Sequence, residues 1–342
     1  MAKGFFDQML DDEINEYVNQ CRKEGVRDEE IMHRIENIDF ENYFIEATNN
    51  ISQKNSEYFV EKMHEIAMGE RETMNEFLTH QEQLWGKCFD ASLTMYVLTL
   101  EAAENYGKLI VEKASVEEKK NKQYTFLALQ HLHGRACQVF LEILYLLKGG
   151  FADCAYARWR TLYELSCMAY FIKNQNEIIA KQFILQSESD DQQYSWTKGA
   201  KDKDGNEYNY KSFHKIERFC EMGDLWRKEY KTSCLVNHAS PQGTFKRVSV
   251  LKPTEVISVG QSDYGITLPA THSAISLHFI TSIFLSVFSS VDSLVYIKTL
   301  KHWVNKLCEW YNDVDNTFSY ESKEDNLGLV RRYEGRNHFN DK

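Results

Sequence analysis

Arg158, Arg160 and Glu164 stand in the middle of an apolar run from Phe151 to Lys173, FADCAYARWRTLYELSCMAYFIK, with no other charged residue between Asp153 and Lys173. At about 100° per residue in a helix, Arg158 shares a direction with Leu162, Leu165 and Ala169, while Trp159, Tyr163 and Tyr170 share a second face unsuited to water. A helix apolar on both faces belongs in a core. Charges there must be paired or hydrogen-bonded, because an isolated buried charge costs several kcal/mol. Arg160 and Glu164 have the i, i+4 spacing of an intrahelical ion pair, which either fixes packing or orients a carboxylate inside a pocket. Arg158 points about 160° away from Arg160. It therefore needs its own partner, a carboxylate on another helix or an anionic ligand.

The preceding helical pattern carries His131, Arg135 and Glu142 along one flank, and Gly149-Gly150 then stops it. In an antiparallel hairpin turning there, Glu142 and Arg158 are both about eight residues from the turn, so the spacing predicts their contact. Arg135 is too far from the turn to lie opposite Arg158. Arginines bind phosphate and carboxylate, which makes Arg135, Arg158 and Arg160 candidate phosphate- or anion-binding residues, with Glu142 and Tyr163 in support. Further on, the segment SCLVNHASPQG places Asn237, His238 and Ser240 where a helical pattern ends. Such residues cap helix ends, and histidine also transfers protons near neutral pH. Glu164 and His238 are thus the candidate catalytic pair, supported by Ser240. An alternative pair, Arg332 and His338, lies in the tail segment RRYEGRNH. His131/His133 and His272/His278 lack the i, i+3 or i, i+4 spacing of a two-ligand metal face. Phosphate-loop, dinucleotide and nucleophile-elbow motifs are absent from the sequence, so neither a metal nor a cofactor is expected.

Helical periodicity supplies the elements that position these groups. Of 342 residues, 43% are hydrophobic, and three prolines and sixteen glycines favour long helices. The expected fold is all-α, a multi-helix bundle with a short irregular or β-hairpin insertion near 241–270, where all three prolines fall. Phe245, Val248 and Val250, then Val256, Ile257 and Val259, flank Lys252-Pro253 and suggest the hairpin. Residues 1–84 read as an N-terminal arm of amphipathic helices separated at Gly25 and the polar run Asn49–Asn55, 85–312 as the core bundle and 313–342 as a polar tail. Within the core, helices are expected over 85–118, 124–148 and 151–186, then near 211–222, 224–237, 272–298 and 300–311. The charged run Glu117–Gln123 reads as a solvated break between the first two. A net charge of −11 argues against a chain-wide nucleic-acid footprint, leaving room for a local basic groove. Eight cysteines without a C-x-x-C pair, and no apolar leader, point to reduced thiols in the cytoplasm. Ala274–Ile297 is long enough to span a membrane, but His278, Asp292 and six serines favour a buried core helix.

The arrangement RACQVFLEILYLLKGGFADCAYARWRTLYEL resembles a bacterial family known only as a domain of unknown function. That family has an arginine-bearing helix, a glycine-containing turn, a helix of the type R-x-x-(F/Y/L)-(Y/F)-E, and a later S-x-x-x-H-x-S segment. The matching positions are Arg135, Gly149-Gly150, Arg160, Tyr163, Glu164, His238 and Ser240. The sequence departs at the first serine, since Cys234 lies four residues before His238. The resemblance covers about 85–312 and implies no settled activity. The tail motif, arginine then histidine, has a looser resemblance to HEPN ribonucleases, which are helical bundles. Two functions are expected. One is a bacterial effector, in phage defence or as a toxin, acting on RNA as a metal-independent ribonuclease through the Arg/Glu/His centre. The other is a non-catalytic scaffold whose ion pairs are structural and whose N-terminal helices bind a protein partner or a second copy.

Overall fold

The computed structural model describes residues 5–36, 40–188, 190–238, 240–245, 247–249, 258–325 and 330–332. The fold is an all-α multi-helix bundle, and the chain divides into two compact units at Met74/Asn75. In the first unit, α1 (Phe5–Lys23) and α2 (Asp28–Glu36) bury Cys21 and Ile31. Arg22 Nε lies 2.9 Å from Asp28 Oδ1 across the turn between them. The third helix, α3 (Phe40–Lys113), starts in this unit and is continuous through both the polar run Asn49–Asn55 and the expected boundary at 84/85. Most residues of the polar run face water, where asparagine, serine and glutamine cost a helix only a few tenths of a kcal/mol each.

In the second unit, α4 (Val116–Lys148) starts at a capping box. Glu118 N donates to Ser115 Oγ at 3.2 Å, and Ser115 N donates to Glu118 Oε2 at 3.0 Å. The charged run Glu117–Gln123, expected to be a break, is therefore the first part of α4, with its glutamates at the positive end of the helix. The fifth helix, α5 (Ala152–Lys173), returns antiparallel and is the centre of the unit. It packs on α4, on α7 (Phe213–Cys220), on α8 (Asp224–Asn237) and on α10 (Thr267–Leu285). The short α6 (Glu177–Gln186) covers α4. A last long helix, α11 (Val291–Asp325), packs on α10 and lies along α3, where Trp303 Nε1 donates to Ala91 O at 3.0 Å. It remains helical well past the expected start of the polar tail.

The expected single helix over 272–298 is two helices. Ser286 Oγ bonds to Ile283 O at 2.7 Å to close α10, and Ser290 Oγ accepts from Ser293 N at 3.0 Å to open α11. Among the described helices α10 is long and apolar enough to cross a membrane, but its apolar residues are mostly buried in the bundle.

The hairpin expected near 241–270 needs correction. Phe245 closes a short helix, α9 (Pro241–Phe245), because proline at a first helical position loses no hydrogen bond. Val248 N donates instead to Asp153 Oδ1 of α5 at 2.8 Å. The strand that does form, β1 (Ser258–Ser262), pairs antiparallel with distant β2 (Val330–Arg332). Val250, Val256 and Ile257 lie outside the described residues.

The turn between α4 and α5 is a Schellman motif. Phe151 N donates to Leu146 O at 2.8 Å and Gly150 N to Leu147 O at 3.0 Å, with Gly150 at φ +76°. A Cβ on Gly150 would lie 2.5 Å from the Phe77 ring and 2.9 Å from Ser262 N. Gly150→Ala is therefore expected to destabilise the second unit by about 2 kcal/mol, combining left-handed strain with displacement of Phe77. Urea denaturation followed by far-UV circular dichroism checks this, with Gly134→Ala, inside α4 and meeting no atom within 4 Å, as the unhindered comparison, expected to stabilise by up to about 1 kcal/mol.

Candidate functional site

The buried face of α5 is aromatic. Trp159 stacks on Tyr156 at 5.7 Å and meets the edge of His272 at 5.0 Å. Its Nε1 donates to Ser276 Oγ of α10 at 3.0 Å. The opposite flank carries the ionic groups. Arg158 Nε donates to Glu142 Oε2 at 2.5 Å and Arg158 Nη1 to Thr161 Oγ1 at 3.2 Å. This is the interhelical contact predicted by the matched offsets from the turn. Arg135 lies 3.6 Å from the other oxygen of Glu142 and donates to Gln138 Oε1 at 2.6 Å. Glu142 is thus shared by two arginines on two helices.

Arg160 Nε lies 3.3 Å from Glu164 Oε1. The phenol of Tyr230, on α8, donates to the same Glu164 oxygen at 2.7 Å. Arg158 and Arg160 therefore have separate carboxylate partners, as their directions on the helix require. The four paired side chains are about a third exposed, 27% for Arg158, 37% for Glu142, 31% for Arg160 and 33% for Glu164. This corrects the expectation that they are fully withdrawn from water. Leu165, read as a core residue, lines an open cleft on the same flank, together with Met168.

Two clefts meet along this flank. The larger, about 720 Å³, lies between α4, α5, α6 and the segment before α7. Arg160 and Glu164 form its polar wall, with Phe183, Tyr194, Trp196 and Phe213 as aromatic walls. The smaller, about 400 Å³, is lined by Arg158, Arg160, Asp153 and the end of α8 at Val236 and Asn237. Arg160 and Thr161 belong to both.

His238 caps α8 through its backbone, with its N donating to Leu235 O at 3.2 Å, and its side chain is exposed and lines neither cleft. Ser240 Oγ accepts from Gly243 N at 3.0 Å, the capping role that its place at an element end allows. The hydroxyl is thereby occupied at the start of α9. Arg332 lies in β2 and its side chain, like all of His338, is outside the described residues. Among the described residues no three His, Cys, Asp or Glu side chains converge as metal ligands do.

Sequence reasoning missed three tyrosine–glutamate pairs that tie α5 to α7 and α8. Besides Tyr230–Glu164, Tyr156 OH donates to Glu229 Oε2 at 2.6 Å, and Tyr163 OH donates to Glu217 Oε1 at 2.8 Å. His214 Nδ1 meets the second Glu217 oxygen at 3.2 Å. Burial, and then the hydrogen bond to a carboxylate, pushes the Tyr156 and Tyr230 phenols well above the ordinary tyrosine range. Tyr163 is raised by burial first, with Cys167 and Glu217 adding to it. All three phenols stay protonated and act as donors, so Glu164 Oε1 accepts from Tyr230 while it faces Arg160. The detectable sequence signal was the spacing of Trp226, Tyr230 and Ser233, which places them on one face of α8. Asp153 was also missed as a tether. It accepts from Val248 N, from Arg247 Nε at 3.0 Å and from Ser249 Oγ, and so holds the chain after α9 against α5.

Residues 126–207 match a family of unknown function, DUF5677. No curated protein and no solved structure matches the chain. The DUF5677 match takes in Arg135, Glu142, Arg158, Arg160, Tyr163, Glu164 and most of the larger cleft. It is narrower than the resemblance read over 85–312 and stops short of His238 and Ser240.

Proposed function

We propose that this protein recognises a ribonucleotide phosphate, free or in an RNA strand, at the α5 arginine centre. The observation that carries the reading is Arg160. It borders both clefts, its Nε faces Glu164, and its terminal nitrogens have no hydrogen-bond partner among the described residues. Arg158, held by Glu142, stands beside it in the smaller cleft. A guanidinium with free donors binds phosphate oxygens in pairs. The aromatic walls of the larger cleft suit a base, and a volume of about 720 Å³ is within the range of small-ligand sites. Binding fits this centre better than turnover. Glu164 Oε1 accepts from Tyr230 and faces Arg160, so this oxygen holds the arginine in place, and the candidate proton-transfer partner His238 lines neither cleft.

Calorimetric titration with adenosine monophosphate and with a short single-stranded RNA tests the proposal. Arg160→Ala is expected to weaken binding by roughly 10- to 100-fold, the loss of a charge-assisted hydrogen-bonding group. Arg135→Ala, on the exposed side of Glu142, is expected to change it little. Absence of heat with both ligands, or tight binding that survives Arg160→Ala, overturns the assignment. RNA cut by the wild type and left intact by His238→Ala, with binding unchanged, would replace recognition by catalysis.

A further inference from the structure

Between Tyr58 and Met74, α3 carries a partly apolar face that stays exposed among the described residues of its own unit. Phe59, Met63 and Ile66 are 58%, 66% and 51% exposed. At about 100° per residue these three lie within a sector of about 60° that also holds Glu70, and Thr73, Lys62 and Gly69 extend it by about 60° on the other side of Ile66. Val60 and Met68 point elsewhere, and scattered apolar residues are ordinary on a surface.

The residues of this face are antisymmetric about Ile66. Phe59 lies seven positions before it and Thr73 seven after; Met63 three before and Gly69 three after; Lys62 four before and Glu70 four after. Large side chains precede the centre and small ones follow it, and the two charges have opposite sign. We infer that the Tyr58–Met74 stretch of α3 binds the same stretch of a second copy, antiparallel, about a two-fold axis at Ile66. In that register Phe59 faces the second copy's Thr73 and Met63 faces its Gly69, so each large side chain meets a small one. Lys62, which now bonds to Glu65 at 3.0 Å, faces the second copy's Glu70. A parallel pairing would set Phe59 on Phe59, Gly69 on Gly69 and Lys62 on Lys62, leaving a crowded end, a hollow end and like charges in contact. A two-fold interface uses one patch twice, so each complementary contact occurs twice.

Sedimentation equilibrium of the full chain across the micromolar range tests this. The wild type is expected to be a dimer. Ile66→Glu places two carboxylates at the axis and is expected to raise the dissociation constant by roughly 100-fold or more. Far-UV circular dichroism should be unchanged, because glutamate is a good helix former. Lys62→Glu should weaken the dimer, and Lys62→Glu with Glu70→Lys should restore it. A monomeric wild type, or a dimer indifferent to Ile66→Glu, overturns the inference. A dimer unaffected by Lys62→Glu overturns the antiparallel register, since parallel pairing merely exchanges one like-charge contact for another. Nucleotide binding at Arg160 is measured separately, so the two proposals fail independently.

Discussion

Trp159→Ala is expected to lower the stability of the second unit by about 4 kcal/mol. The corresponding fall in thermal midpoint is on the order of 10 °C. Trp159 is fully buried at the crossing of α5, α8 and α10, with Tyr156, Tyr163, Trp226 and His272 around its ring. Removing it deletes a fully buried indole and leaves a cavity walled by the Tyr156 face, the edge-on His272 and the tilted Tyr163 and Trp226 rings. Rigid rings between three helices cannot collapse into the space, so the cavity cost adds to the lost transfer energy. Ser276 Oγ also loses its donor. Trp159→Phe keeps much of the packing and removes the indole N–H, and should cost about 1–2 kcal/mol. Urea denaturation read by near- and far-UV circular dichroism separates the two variants. A loss below about 1 kcal/mol for Trp159→Ala would mean that α5 is not the packing centre of the unit.

The local features of this bundle were legible in the sequence. The αα-hairpin follows from two apolar periodic runs and a double glycine, and its geometry brings Glu142 to Arg158 because both are equally far from one turn. The partition of Arg158 and Arg160 between two carboxylates follows from about 200° of helical rotation across two residues. Boundaries were less legible where polar residues do not mark a break. Asn49–Asn55 continues a helix because an exposed helix does not need an apolar face at every turn. Ser115 divides α3 from α4 although its neighbours are charged on both sides, because the decisive bonds are two reciprocal caps to Glu118 and not hydropathy.

The candidate site was legible only in part, because half of it comes from residues far along the chain. Tyr163 and Glu217 are 54 residues apart, Tyr230 and Glu164 are 66 apart, and Tyr156 and Glu229 are 73 apart. No periodicity encodes a phenol–carboxylate pair across such distances, so α5 could be recognised as polar-centred without its partners being nameable. The same separation explains β1, whose partner strand is some seventy residues on, and Asp153, whose three donors all lie beyond residue 246. Exposure of the ion pairs was not encoded in α5 at all. It depends on how far α6 and the segment before α7 close over Leu165 and Met168, and they leave a cleft.

Acidification from pH 7 to pH 5 is expected to remove about 2 kcal/mol of stability through His133 alone. His133 is buried in α4, stacked on Phe284 with ring centres 5.0 Å apart and with the Cys137 sulfur at 3.8 Å from Nε2. Burial pushes its pKa down to about 4, from an ordinary value of 6.5. The unfolded chain therefore takes up a proton below pH 6.5 that the folded chain refuses until near pH 4. Since the unfolded state binds more protons in that window, stability is complete above pH 6.5 and falls as the pH drops, levelling near pH 4 at a total of about 3 kcal/mol. His272 and His278 are lowered in the same direction, each by burial first, and steepen the same limb. Carboxylates released from ion pairs add their loss mainly at the lower end, so the interval between pH 7 and pH 5 isolates the histidines. His133→Gln removes one titrating group at a constant cost across this range. Its stability, from urea denaturation at each pH, should therefore decline less between pH 7 and pH 5 than that of the wild type, by about 2 kcal/mol. Equal slopes for the two proteins would mean that the imidazole is protonated in the folded state, which its apolar setting against Phe284 does not favour.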